Sequence, residues 1–130
     1  MRLKLKQIGP RKLEVLSDKW SFIVDLKKRF GGEDSGPTPS ELAAVALASC
    51  EVLTGVVWAE NRYDIELRDL AADVSWEYED KPERISRIDV TISNVSSQLE
   101  GKTKEFAAIA KGCTVAKTFK TPPQLNLKVE

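Results

Sequence analysis

The chain has 130 residues with 20 basic and 20 acidic side chains, and these bounds exclude several classes of protein. The length fits one domain, since domains cluster at roughly 100–150 residues. The balanced charge excludes long-range attraction to nucleic acid or to an anionic membrane. Histidine is absent, which excludes Ser-His-Asp and Cys-His catalysis and most zinc sites, because two cysteines alone cannot complete a tetrahedral site.

The first quarter of the chain is predicted to form three strands. Apolar residues recur at about every second position over Leu3–Ile8, Leu13–Val15 and Trp20–Leu26, which is the period of a strand with one buried face. A Gly9-Pro10 turn separates the first two stretches, and the Gly-rich segment Gly31–Gly36 is predicted to be a loop.

The clearest helix signal follows this loop. Thr38 is a candidate N-cap, Pro39 fits the first helical position, and Glu41 stands three residues after Thr38, which completes a capping box. From Leu42 to about Glu60 the residues are mostly Ala, Val and Leu. A helix that is apolar on nearly every face is expected to be central and surrounded by protein. A monomer of this size offers too little cover, so we expect a homodimer.

The second half is predicted to contain a hairpin, two helices and a final strand. Its two long strands alternate apolar and polar residues around a turn at Asp80–Glu83, and Gly112 is a plausible end for the first of the two helices. The predicted elements are Asp73–Tyr78, Ile88–Ile92, Gln98–Lys111, Thr114–Phe119 and Leu125–Val129. The element order is therefore β-β-β-α-β-β-α-α-β, an α+β fold in one domain, residues 1–130.

The compartment follows from what the sequence lacks. The N-terminal segment alternates charged residues with Leu and does not resemble a signal peptide. No apolar run reaches the roughly 18 residues that cross a bilayer, because Glu51 interrupts the longest one. We therefore expect a cytoplasmic protein without a membrane partner, in which any disulfide is transient.

Cys50 and Cys113 are the only cysteines. Cys50 lies about three turns beyond the helix N-cap, where the helix dipole contributes little, so its thiolate needs an Arg or Lys from elsewhere. Cys113 follows Gly112 at the start of the last predicted helix, and a helix N-terminus lowers the pKa of a thiol. On these grounds alone the pair is either core filling or a redox couple.

Two segments carry a family resemblance. The first runs from Gly36 to Cys50, with Thr38-Pro39 and an Ala/Leu-rich stretch before the cysteine, and the second is Gly112–Lys117. Together they resemble the two cysteine segments of the OsmC/Ohr family, the osmotically induced protein C and organic hydroperoxide resistance proteins. The predicted element order is also that of the OsmC-like α+β fold, in which a long central apolar helix packs on an antiparallel sheet.

The resemblance implies a thiol peroxidase without a metal or cofactor. Cys50 matches the peroxidatic position, whose thiolate attacks a hydroperoxide and becomes a sulfenic acid, and Cys113 matches the resolving position, which forms a disulfide with it. An external dithiol, dihydrolipoyl or thioredoxin-like, restores both thiols. Family members are intertwined homodimers with two sites at the subunit interface.

The resemblance also suggests two partners for the Cys50 thiolate. The hydroperoxide branch has a Glu directly after the Pro of its signature, where this chain has Ser40, with Glu41 one position later. Arg11 approximately matches the family Arg near the first hairpin, and Arg29 is its rival. The candidate catalytic residues are therefore Cys50, Cys113, Arg11 and Glu41.

Two other functions compete with the peroxidase. The first is a non-peroxidatic protein of the same fold that binds a small ligand at the dimer interface, for which Trp20, Trp58 and Trp76 are candidate lining residues. The second is nucleic-acid binding through the lysines near the C-terminus, which the zero net charge and the interspersed Glu105 disfavour.

Overall fold

Five strands, three α-helices and one short 3-10 helix (Lys28–Phe30) make up the chain, and the predicted α+β class is confirmed. A computed structural model describes all 130 residues, which form two compact units, residues 1–43 and 44–130. The elements are β1 (Lys4–Gly9), β2 (Lys12–Leu16), β3 (Ser21–Val24), α1 (Pro39–Tyr63), β4 (Ala71–Glu79), β5 (Arg84–Ser93), α2 (Thr103–Lys111) and α3 (Thr114–Lys120).

The first unit contains a three-stranded antiparallel sheet in the order β1-β2-β3. Val15 pairs with Leu5 on one side and with Phe22 on the other, so the apolar residues predicted from the period of two lie on one face. Val15 and Val24 are buried, whereas Leu5 and Phe22 are exposed. The three predicted strands are confirmed.

A buried carboxylate organises the loop after β3. Asp25 is 2% exposed, and it accepts N–H hydrogen bonds from Leu26 at 2.7 Å, Glu33 at 3.2 Å and Ser35 at 3.1 Å. The Ser35 hydroxyl donates a further hydrogen bond at 2.6 Å. These donors, led by that hydroxyl, lower the pKa of Asp25 to about 2 because they favour its charged form.

The long helix α1 begins as predicted. The Thr38 N–H donates to the Glu41 carboxylate at 3.1 Å and the Glu41 N–H donates to the Thr38 hydroxyl at 3.2 Å, which confirms the capping box. The helix extends to Tyr63, three residues beyond the predicted end. By length and composition it could cross a membrane, a test that core helices of soluble proteins also pass.

A single chain does not bury α1 on every side, as expected from the small cover that a monomer of this size offers. Its buried residues are Ala44, Leu47, Ala48, Gly55 and Ala59. In contrast, Val45, Leu53 and Val57 are 51–61% exposed. One chain therefore covers only part of this apolar helix.

In the second unit, β4 and β5 form the predicted hairpin, with Val74 opposite Val90 and Trp76 opposite Ile88. Helix α2 approaches α1 closely at Gly55, where a Cβ atom would lie 2.2 Å from the ring of Phe106. Only glycine permits this approach. The main buried cluster contains Ala59, Leu67, Val95, Leu99, Phe106 and Ala110.

One predicted boundary and one predicted strand are wrong. Helix α2 begins at Thr103 and not at Gln98, because the chain forms turns first: the Val95 carbonyl accepts the N–H groups of Gln98 and Leu99, and Gly101 has a left-handed φ of 75°. The final strand at 125–129 is absent, and its apolar side chains are more than 80% exposed. A period of two makes a strand only where a neighbouring strand supplies hydrogen bonds, and neither sheet pairs with this segment.

Candidate functional site

The fold brings Cys50 and Cys113 together although they are far apart in the sequence. Cys50 lies in the middle of α1, and Cys113 is the N-cap of α3 directly after α2. Both are free thiols; Cys50 is half-buried and Cys113 is 1% exposed. They share one apolar cluster with Leu47, Ile88, Val90, Val115 and Ala116.

The start of α3 supplies donors to Cys50. The backbone N–H of Val115 is the largest influence that lowers the pKa of Cys50, and it outweighs the opposing effect of burial. The Cys113 thiol, the Thr54 hydroxyl and the Thr114 N–H act in the same direction. Hydrogen bonds to a charged group favour its charged form, so Cys50 is the thiol disposed to ionise.

The sequence analysis predicted that an Arg or Lys would stabilise the Cys50 thiolate, and it did not predict these hydrogen-bond donors. Thr54 stands four residues after Cys50, a spacing that places two side chains on the same side of a helix, and that signal was available in the sequence. The N–H groups of Thr114 and Val115 come from a separate helix, and no sequence pattern indicates that its first turn faces α1.

Cys113 behaves differently from the sequence expectation. Its sulfur accepts the Ala116 N–H at 3.4 Å, as an N-cap does. Burial nevertheless raises the pKa of Cys113, and the neighbouring Cys50 and Glu51 raise it further. Desolvation disfavours the thiolate, and it outweighs the Ala116 N–H, which does lower the pKa of Cys113 as expected at a helix N-terminus. Cys113 is the thiol disposed to keep its proton.

Arg11 and Glu41, the two other predicted site residues, lie in the first unit. The Glu41 carboxylate accepts the Thr38 N–H and lies 3.2 Å from Lys27 Nζ. These groups, the Thr38 N–H first, lower the pKa of Glu41. Glu41 is thus held in its capping role.

Arg11 packs against the loop after the 3-10 helix. Its guanidinium carbon lies 2.9 Å from the position that a Cβ would take on Gly31, whose φ is +84°. The rival Arg29 lies over the ring of Phe30, 4.9 Å from its centroid. Both arginines therefore have structural contacts within the first unit.

A cavity of about 260 Å³ lies in the second unit beside the thiol cluster. Its walls come mainly from β5 and α2 and are largely apolar, and Glu51 and Lys111 provide charged groups. Burial raises the pKa of Glu51, although Lys120 and Lys111 oppose this effect. Sequence reasoning treated Glu51 only as an interruption of an apolar run. No group of three or more acidic, Cys or His residues is placed to hold a metal ion.

Comparison with known proteins identifies the family of this chain. The family model described as OsmC-like protein matches residues 32–128, which is most of the chain and includes both cysteines. The chain belongs to the OsmC-like protein family. Among proteins with curated functions, none matches it in sequence.

Solved structures show the same fold. A Psychrobacter arcticus protein, provisionally assigned to the osmotic stress and detoxification response, superposes with a TM-score of 0.80 at 25% identity, covering 89% of this chain and 85% of its own. An OsmC-like protein from Mycoplasma pneumoniae has a TM-score of 0.71 at 18% identity, and the match covers 93% of this chain and 87% of the Mycoplasma chain. A Legionella pneumophila protein described as an organic hydroperoxide resistance protein OsmC has a TM-score of 0.59 at 17% identity, and the match covers 92% of this chain and 90% of the Legionella chain. The last two support the fold alone.

Proposed function

We propose that this chain is a thiol-dependent peroxidase that reduces organic hydroperoxides. The Cys50 thiolate attacks the O–O bond, which breaks to release an alkoxide that is protonated to the alcohol and leaves Cys50 as a sulfenic acid. The Cys113 thiol then displaces the sulfenic hydroxyl, which leaves as water, and a Cys50–Cys113 disulfide forms. An external dithiol reduces this disulfide to two thiols and is itself oxidised to a disulfide.

The observation that carries the proposal is the asymmetry of the two thiols. They lie in one cluster, and the pKa of Cys50 is lowered by N–H donors whereas the pKa of Cys113 is raised by burial. A peroxidatic cysteine acts as its thiolate, and a resolving cysteine needs to be close to it. The match to the OsmC-like family supports the same assignment.

The test is the consumption of tert-butyl hydroperoxide with a dithiol as reductant. We expect wild type to consume the peroxide and Cys50→Ser to be inactive. One equivalent of peroxide should reduce the intact mass of wild type by about two daltons, whereas Cys113→Ser should gain about sixteen as a sulfenic acid. Equal consumption by wild type and Cys50→Ser would overturn the proposal.

On the family resemblance, Arg11 and Glu41 are proposed to assist the Cys50 thiolate. The same assay with Arg11→Met separates this role from general loss of charge, because Arg2→Met removes an equal charge from an exposed position of the same unit. The proposal requires Arg11→Met to be the slower of the two. For Glu41, a slower rate in Glu41→Gln counts only if the variant retains wild-type stability, since Glu41 also caps α1.

The remaining parts of the proposal concern partners and compartment. We propose a cytoplasmic homodimer in which a second copy covers the exposed apolar side of α1. Support comes from a groove of about 390 Å³ on that side, lined by Val45, Ala48, Ser49, Val52, Leu53, Ala72 and Val74. We also propose that the protein binds neither nucleic acid nor a membrane.

The second candidate function is a protein that binds a small apolar ligand without peroxidase activity. The largely apolar cavity beside β5 and α2 favours it, since small-molecule sites are concave and mostly apolar. Titration with a chromogenic disulfide at neutral pH separates the two functions. One fast-reacting cysteine supports the peroxidase, and two unreactive cysteines support the binding protein.

A further inference from the structure

The C-terminal segment, residues 125–129, has the pattern of a strand but no strand partner in the single chain. Its apolar residues alternate with polar ones, and the side chains of Leu125, Leu127 and Val129 are 83–92% exposed. Neither sheet pairs with the segment, and its backbone N–H groups donate to no other backbone group of the chain. Both the backbone and the apolar side chains of this segment therefore lack partners within one chain.

A groove of about 390 Å³ beside β4 lacks apolar cover. One wall is a stripe of α1 whose members recur every three to four positions and so share one helix face: Val45, Ala48, Ser49, Val52 and Leu53. The other wall is Ala72 and Val74 of β4. The Ser49 hydroxyl donates to the Val45 carbonyl at 2.7 Å, so the one polar side chain of the groove already has its partner. The groove therefore accepts apolar side chains.

The groove lies beside an open sheet edge. Strand β4 pairs with β5 on one side and with no strand on the other. An unpaired edge presents a row of N–H and C=O groups that a further strand can use. Because Ala72 and Val74 both line the groove, a strand on this edge would direct every second side chain towards α1. A strand with alternating apolar residues would thus satisfy the edge and fill the groove together.

The C-terminal segment has the length that the groove requires. From Val45 to Leu53 the axis of α1 rises about 12 Å, since each helical residue contributes 1.5 Å. An extended chain from Leu125 to Val129 spans about 13 Å, at 3.3 Å for each residue. Three alternate apolar side chains therefore cover the whole stripe of α1.

The other free edges are less suitable. Strand β1 carries Lys4 and Lys6, and lysines on an edge discourage further pairing. Strand β3 has only four residues. At β5, Ile92 packs against the cluster that contains Phe106 of α2, so a helix already covers the apolar face there. Strand β4 is nine residues long and contains neither Lys nor Pro.

We propose that residues 125–129 of a second copy form a strand on the free edge of β4 and place their apolar side chains in the groove. The inference rests on the proposed homodimer and names the segment that covers α1. In a two-fold dimer each copy gives one such strand and receives one, because both copies use the same surfaces. The exchange therefore closes at two chains and leaves no free partner for a third.

Amide hydrogen exchange followed by NMR tests the strand. In wild type we expect protection of residues 125–129 and of the β4 N–H groups that do not donate to β5. Leu127→Glu puts a charge into the apolar groove and should remove this protection. Leu127 is 92% exposed in the single chain, so the substitution leaves the core of each chain unchanged. Asn126→Glu adds the same charge on the opposite face of the segment and should retain the protection.

Two results of this experiment would overturn the proposal. The first is a segment 125–129 that exchanges without protection in wild type. The second is equal exchange in Leu127→Glu and Asn126→Glu, because the alternation would then have no effect.

Cross-linking tests whether the strand comes from a second copy. In chains that carry Cys50→Ser and Cys113→Ser, Asp73→Cys and Asn126→Cys are introduced separately, at exposed positions of β4 and of the segment. When the two chains are coexpressed and treated with a short bismaleimide, we expect a covalent product with one copy of each. Ser97→Cys, at an exposed position of the turn after β5, replaces Asp73→Cys in the control and should give little product.

Equal yields from the two mixtures would overturn the proposal, and so would protection of the segment without the mixed product, which would place the segment on its own chain. Neither experiment uses peroxide. Such a failure is therefore separate from failure of the proposed peroxidase activity, which the consumption of tert-butyl hydroperoxide by wild type reports.

Discussion

At the scale of single residues, polar groups buried in this chain have specific partners, and no buried side-chain nitrogen or oxygen is left without one. Asp25 is the clearest case, because four donors from the loop between β3 and α1 converge on its carboxylate. Burying a charge is unfavourable unless hydrogen bonds replace its hydration. Asp25 therefore holds the loop between β3 and α1 in one conformation.

Asp25→Asn should lower the free energy of unfolding at pH 7, since a neutral amide accepts these hydrogen bonds less strongly and brings its own donors. The folded pKa of about 2 lies below the ordinary value of 3.8. The stabilisation by the carboxylate is thus complete above about pH 4 and is lost as the pH falls towards 2. Urea denaturation at a series of pH values measures this difference.

The matched control for this substitution is Asp18→Asn, at an exposed position of the turn between β2 and β3. It should unfold like wild type at each pH. A constant difference between wild type and Asp25→Asn from pH 7 down to pH 2 would contradict the explanation, because it would show that ionisation of Asp25 does not contribute.

At the scale of elements, the structure agrees best with predictions that depend on neighbouring residues, and less well with those that depend on contacts between distant segments. The capping box of Thr38 and Glu41 predicted where α1 begins, because both hydrogen bonds form within four residues. The strand predicted at 125–129 failed because a strand depends on a distant neighbour. In the site, the family resemblance predicted the roles of the two cysteines. The lowering of the Cys50 pKa by backbone N–H groups of α3 could not be predicted, because it depends on how separate helices pack.

The contact between α1 and α2 at Gly55 leads to a prediction about stability. Gly55→Ala places a methyl group within 2.2 Å of the present position of the Phe106 ring. The helices must then separate or the ring must leave its rotamer, which typically reduces stability by about 1–3 kcal/mol. Urea denaturation of the two proteins measures the loss.

A double-mutant cycle with Phe106→Leu tests the cause of this loss. Leucine is smaller than phenylalanine, so Gly55→Ala should destabilise the Phe106→Leu protein less than it destabilises wild type. Equal losses in the two backgrounds would show that the ring is not the obstacle and that Gly55 is required for another reason.

At the scale of the whole molecule, the exposed side of α1 is the feature that a single chain leaves unexplained. Val45, Leu53 and Val57 are each more than half exposed, and Val45 and Leu53 line an apolar groove bordered by β4. Contiguous exposed apolar surface on a soluble domain commonly marks an interaction site. In the proposed homodimer, a second copy of the chain is the partner that covers this surface.

Sedimentation velocity should accordingly give wild type about twice the mass of one 14.5 kDa chain. Leu53→Glu places a charge in the proposed interface, where an unpaired buried charge is unfavourable by several kcal/mol, so this variant should sediment as a monomer. Ser97→Glu adds the same charge at an exposed position of the turn between β5 and α2 and should remain dimeric. A monomeric wild type would contradict the proposed assembly.

The burial of Cys113 also bears on the reductive half of the proposed cycle. A disulfide offers two sulfurs to an incoming thiolate, and access selects between them. Because Cys113 is 1% exposed and Cys50 is half-buried, the reductant is directed to the sulfur of Cys50. The mixed disulfide with the reductant then forms on Cys50, and Cys113 is the leaving group. In the proposed cycle the peroxide and the reductant thus react at the same sulfur, one after the other.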